Sequence, residues 1–210
     1  MKLIDLNVMD FTNKLASSDP TPGGGSAAAL SGLVGISLAA MVANLTIGRK
    51  KYAEYEDFMQ TVLADANAQQ AALLAGIDLD AEAYDKVSAA YKLPKETDEE
   101  KSARLAAIQD ALKIATTTPL NILNHCMASL RLAHSMIGKC NTNAASDLGV
   151  AAVSLNTGIQ GAWMNILINL SGIKDESFKD EARKKAQETL AQAKKLCAEI
   201  EAFVMSEIDA

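Results

Sequence analysis

Two stretches of this chain carry residues whose types and spacing could do chemistry. The first is Pro20-Thr21-Pro22-Gly23-Gly24-Gly25-Ser26, followed by the helix-forming run Ala27, Ala28, Ala29 and Leu30. Pro22 fixes its own φ and biases Thr21 away from the helical region, and three glycines leave the backbone bare. Ser26 is a residue type favoured at helix N-caps, so the sequence predicts a glycine loop feeding a helix N-terminus at Ser26. Such a place offers free N–H groups and a positive dipole end to an anion or a carbonyl group. The alternative is a plain turn before a buried helix. No Lys follows the glycines, which excludes a P-loop, and no strand precedes them, which excludes a dinucleotide fingerprint.

The second stretch is Asp78-Leu79-Asp80-Ala81-Glu82-Ala83-Tyr84. Three carboxylates within five residues suit the first turn of a helix, where they complement the dipole. The functional alternative is that one of them sits in a cleft as an acid or base. Arg49 and Lys50, just past the end of the first apolar run, either complement a helix C-terminus or hold an anionic ligand. Asp147 and Asn165 are five helical turns apart and share a face of one straight helix, with Asn169 close to it and Asn156 and Gln160 on the other side. His125 and His134 lack partner ligands, and Cys126, Cys140 and Cys197 lack metal spacing. No metal is expected, nor a disulfide framework, and the thiols suit a reducing, cytoplasmic setting.

These residues need elements to position them, and the sequence offers helices. The 210 residues suit one domain, spanning 1–210. Hydrophobic residues make up 49% but aromatic residues only 4%, so Ala, Leu and Ile carry the burial. No alternation of the β type persists. Periodicity and breakers predict helices over 7–16, 26–47, 52–74, 78–91, 97–115, 120–137, 148–173 and 176–208. Gly76 and the group Thr116, Thr117, Thr118 and Pro119 act as the interruptions. Residues 20–48 and 148–173 contain no charge. Their Gly, Ser, Asn and Gln content favours two buried central helices over membrane spans. The expected fold is all-α, a bundle of about seven or eight helices with two long uncharged helices at its centre. A formal net charge of −6 excludes a general nucleic-acid binder. The start, Met1-Lys2-Leu3-Ile4-Asp5, lacks the apolar core of a signal peptide.

Taken together, the glycine string, Asp80-Ala81-Glu82-Ala83-Tyr84, Leu93-Pro94-Lys95, and Ser146-Asp147 with Asn165 and Asn169 resemble the tetrahydrofolate cyclodeaminase/cyclohydrolase family. The resemblance runs from Phe11 to about Phe178. It implies an all-helical homodimer acting on a one-carbon unit bridging N5 and N10 of a tetrahydrofolate derivative, with no tightly bound cofactor. The expected activity is formimidoyltetrahydrofolate cyclodeaminase. Methenyltetrahydrofolate cyclohydrolase, or a non-catalytic folate-binding protein of the same fold, is the alternative. The resemblance places a catalytic carboxylate at Asp80, with Asp78 as the neighbour not separated from it. Pro22, Gly23, Gly24, Gly25 and Ser26 are then expected to hold an anionic or carbonyl group, Arg49 and Lys50 the glutamate tail, and Asp147 and Asn165 the pterin.

Overall fold

The computed structural model describes residues 2–209, and among them it contains six α-helices and three short 3-10 turns. The helices are α1 (Val8–Leu15), α2 (Gly24–Thr46), α3 (Glu56–Tyr91), α4 (Asp98–Ser135), α5 (Ala145–Leu170) and α6 (Glu176–Ile208). The two uncharged stretches form α2 and α5, which pack along each other at the centre. Helices α3 and α4 close one side, and α6 lies outside against α4 and α5. Helix α2 has the length and mean hydropathy, 1.9, of a membrane span, and 56% of that window is buried among the other helices.

The count is below the expected seven or eight because two predicted breaks are not breaks. Gly76 lies inside α3, buried where a Cβ would sit 3.3 Å from Ile122 and 3.5 Å from Ala29. A glycine in a helix interior costs about 1 kcal/mol relative to Ala, and tertiary packing overrides that easily. Pro119 lies inside α4. It has no N–H, so the carbonyl of Ala115 loses its usual helical donor. Asn169 of α5 replaces it, donating from Nδ2 at 2.7 Å. The hydroxyls of Thr116, Thr117 and Thr118 bond back to the carbonyls of Leu112, Lys113 and Ile114. The three threonines therefore support this turn instead of ending the helix. The start of α4 follows the sequence, with Thr97 and Glu100 forming a reciprocal capping box.

Small residues set how closely the central helices approach. Cys126 of α4 is fully buried between α2 and α5, with Gly32 and Gly158 facing its sulfur. A Cβ on Gly158 would lie 2.8 Å from Cys126 Sγ, 2.9 Å from the Ala28 carbonyl and 3.1 Å from the Gly32 nitrogen. Two of those neighbours are backbone and cannot rotate away. Burial also pushes the Cys126 thiol up to about 12, so it packs as a neutral apolar group. Gly158→Ala gains about 1 kcal/mol of helix propensity but overpacks the seam by more, typically 1–3 kcal/mol. Urea unfolding of this variant is expected to show a net loss of stability. A midpoint at or above that of the native chain would mean that the seam is looser than described.

Candidate active site

The end of α2 that bears the glycines meets the second half of α3. The loop residues Pro20, Thr21, Gly23, Gly24 and Gly25 line a cavity of about 330 Å³. One face of α3 supplies Asp80, Ala83, Tyr84 and Val87, which fall at i, i+3, i+4 and i+7. Asn165, Ile168 and Asn169 come from α5 and Ala115 from α4. Asp80 is the one charged residue among those lining the cavity.

Asp80 lies directly over the main chain of Gly25, where a Cβ would collide with its carboxylate. Any side chain at 25 would displace the acid, so this glycine is required by close approach. The helix begins at Gly24 with Gly23 as the N-cap. Ser26 therefore is not the N-cap expected from its type. It occupies the third helical position, fully buried, with its hydroxyl donating to the Ile77 carbonyl at 2.9 Å or to Asp80 Oδ2 at 3.2 Å. A hydroxyl has one proton, so these two acceptors compete for it. When Asp80 is ionised the proton can turn to the carboxylate. When Asp80 is protonated it can donate to Oγ while Ser26 serves Ile77. Burial holds the Asp80 carboxyl above its ordinary value of 3.8, opposed by hydrogen bonds from the Ser26 hydroxyl and backbone N–H. The positive end of α2 also favours the charged form, yet desolvation prevails.

The other expected residues divide between those at this site and those elsewhere. Gly23, Gly24 and Gly25 line the cavity, whereas Pro22 is buried beneath the loop and does not line it. Ser26 acts through Asp80. Asp78 faces away from the cavity and accepts from the backbone N–H of Leu3 at 2.6 Å, tying the N-terminal segment to α3. Both acids lie well inside α3, so they do not form a helix first turn. Asn165 is in the cavity, its Nδ2 donating to Gly161 at 2.9 Å. Arg49 and Lys50 lie beyond the far end of α2, a helix of 23 residues and so about 34 Å of rise. Asp147, in the first turn of α5, is about 27 Å along that helix from Asn165. A shared helix face did not mean a shared cavity: Arg49, Lys50 and Asp147 lie toward the opposite end of the bundle. Missing from the expected set were Pro20, Thr21, Ala83, Tyr84, Val87, Ala115, Ile168 and Asn169. The helical spacing from Asp80 and from Asn165 would have found five of them.

The sequence profile of the formiminotransferase-cyclodeaminase family matches residues 7–188. The chain is 45% identical over 199 residues to the methenyltetrahydrofolate cyclohydrolase of Methylorubrum extorquens, covering 95% of this chain and 96% of that protein. It is 36% identical over 193 residues to rat formimidoyltransferase-cyclodeaminase, matching 91% of this chain but 36% of that longer protein. The crystal structure of formiminotetrahydrofolate cyclodeaminase from Thermotoga maritima superposes with a TM-score of 0.88 at 28% identity, over 97% of this chain and 98% of the other. The fold and these matches place the chain among the all-helical enzymes of folate one-carbon chemistry. It belongs to the formiminotransferase-cyclodeaminase family.

The raised Asp80 pKa also has a consequence for stability. A carboxyl whose folded pKa lies above its unfolded value favours folding while protonated, and that contribution is lost as pH rises through the folded pKa. Above that folded pKa the native state therefore carries a buried charge at a cost. Asp80→Asn is expected to raise the melting temperature at pH 7, with the gap to the native chain closing as pH falls to the ordinary Asp range near 3.8. Calorimetry across pH checks this, and a variant less stable than native at pH 7 would contradict it.

Proposed function

We propose that this chain is a methenyltetrahydrofolate cyclohydrolase, hydrolysing 5,10-methenyltetrahydrofolate to the 10-formyl compound. The observation that carries the reading is Asp80, the one charged group in the cavity, poised over bare backbone with its pKa raised. A lone carboxylate suits a substrate whose reacting carbon lies in a cation. In this reading Asp80 takes a proton from water as its oxygen attacks the methenyl carbon, giving a neutral tetrahedral centre. The carbon–N5 bond then breaks, N5 receives a proton from Asp80, and the remaining hydroxyl proton passes to solvent as the formyl C=O forms. One proton is released overall. The glycine main chain borders the acid, and the cavity walls of Ala83, Val87 and Ile168 fit a flat ring.

The sequence alone favoured cyclodeaminase. Similarity to the Methylorubrum enzyme along nearly the whole of both chains moves the preference to the cyclohydrolase. The second reading remains open because the Thermotoga cyclodeaminase shares the fold over its full length. There Asp80 would accept the N10 proton as N10 attacks the formimidoyl carbon, then return it to the departing ammonia. Two substrates given in parallel to the purified protein separate the readings. Accelerated loss of the methenyl absorbance, without ammonia release from 5-formimidoyltetrahydrofolate, is expected. Ammonia release would establish the second reading, and turnover of neither would sink both. Asp80→Asn is expected to lower kcat by about 10² to 10⁴. In the native enzyme, kcat/KM is expected to fall on the acid side with an apparent pKa above 3.8.

The working unit in this reading is a homodimer. Val34, Met41 and Leu45 of α2 and Val150, Val153, Met164 and Ile168 of α5 are large apolar side chains left exposed on the uncharged helices, Val153 at 67% and Ile168 at 70%. A continuous uncharged face of this kind marks an interface, and a second copy offers the same face in return. Ile168 also lines the cavity, so the pairing would border the site. Light scattering should report a dimer, and Val153→Glu with Met164→Glu a monomer. A native monomer at micromolar concentration would exclude this pairing.

A further inference from the structure

We propose that Asn169 is a substrate-contacting residue whose carboxamide is aimed by Pro119, through the carbonyl that Pro119 leaves without a helical donor. The inference rests on the folate reading above and adds two residues to it. Pro119 is buried in the interior of α4, where a proline ordinarily costs a helix about 3 kcal/mol. What it leaves behind is the Ala115 carbonyl, lacking an N–H at position 119. Ala115 and Asn169 both line the cavity. Asn169 Nδ2 donates to that carbonyl at 2.7 Å across 54 residues of sequence.

An amide held by its nitrogen cannot flip without losing that bond, so the orientation of its oxygen is fixed. Among the described residues no donor reaches Asn169 Oδ1, and it is not a sealed, unsatisfied atom either. It is therefore reached by solvent as a free acceptor, on a residue that lines the cavity. Asn165 is arranged the same way, with Nδ2 committed to the Gly161 carbonyl. Beside the carboxylate of Asp80, the two amide oxygens make one wall of the cavity rich in acceptors. The complementary ligand edge is one of N–H donors, such as the amino and ring N–H groups of a reduced pterin. Asn169 reads that edge. Pro119 is a positioning residue: with an N–H at 119, the Ala115 carbonyl would return to the helix ladder and the amide would lose its anchor.

A double-mutant cycle on the full chain tests this, with the methenyl and formimidoyl substrates both assayed. Asn169→Ala is expected to raise KM for the folate about tenfold with kcat changed less than about threefold, as loss of a binding hydrogen bond does. Pro119→Ala is expected to raise KM several-fold while leaving the melting temperature equal or higher, since Ala is the better helix former. In the Asn169→Ala background, Pro119→Ala should then change KM no further. In ¹⁵N spectra the side-chain NH₂ signal that Asn169→Ala deletes should shift in Pro119→Ala. An additive cycle, an unchanged KM in Asn169→Ala, or an unmoved amide signal in a natively active enzyme would each overturn the proposal alone. A native chain that turns over neither folate would overturn the functional reading and this inference with it.

Discussion

The structure depends on one contact, the Asp80 carboxylate lying on the main chain of Gly25. It sets conditions on three elements. Position 25 must carry no side chain. Helix α2 must begin two residues before Ser26, at Gly24, so that the hydroxyl and N–H of Ser26 face the acid. Helix α3 must run unbroken past Gly76, so that Ile77 and Asp80 meet Ser26 from a stiff interior and not from a fraying end. The result is a carboxyl removed from water and compensated only in part. A polar group treated so is kept at a cost in stability, which is the ordinary state of an acid or base tuned for reaction.

The rest of the bundle keeps that contact in register. Helix α2 carries no charge and α5 only Asp147 in its first turn, as suits two helices packed along each other at the centre, with Gly32, Gly158 and Cys126 permitting the approach. The same approach brings Asn165 to Gly24, where a Cβ would lie 3.2 Å from Nδ2. Helix α4 contributes through what it lacks: with no N–H at 119, the Ala115 carbonyl accepts from Asn169 Nδ2 and so joins α4 to α5 at the cavity. The acid, the amides and the glycines thus come from α3, α5 and α2, and α4 adds the Ala115 carbonyl that anchors Asn169, four helices in all. The cavity can have defined geometry only when all four are packed.

This distribution explains what could be read from the residues alone. Composition and period were enough for the all-helical fold, for two uncharged helices at its centre and for the capping box at Thr97, because each signal is local. The glycine string and the acids of α3 were also visible, as was the chemistry that each could do. Their meeting was not, since nothing in either stretch states that Gly25 is bare for the sake of Asp80. Gly76 and Pro119 were read as breaks because their local cost is real. The donor that rescues Pro119 is in a different helix, and no window along the chain contains both. The separation of Arg49, Lys50 and Asp147 from this cavity has another cause. Periodicity reports which face of a helix a residue occupies but is silent about which end of the bundle that face serves.

The geometry also bears on how relatives of one fold come to bear the names of two reactions. Hydrolysis of the methenyl cation and closure of the formimidoyl compound both pass through a tetrahedral carbon flanked by N5 and N10. In each, a carboxylate must take a proton from the attacking group and give one to the nitrogen that leaves. A carboxyl with an ordinary pKa would be a poor donor in the second half. Burial raises the Asp80 pKa and so improves the donor, while hydrogen bonds from the Ser26 hydroxyl and N–H oppose that rise. One residue can therefore serve either reaction. The choice between them then falls to whatever controls the third group on that carbon, water arriving in the one reaction and ammonia departing in the other.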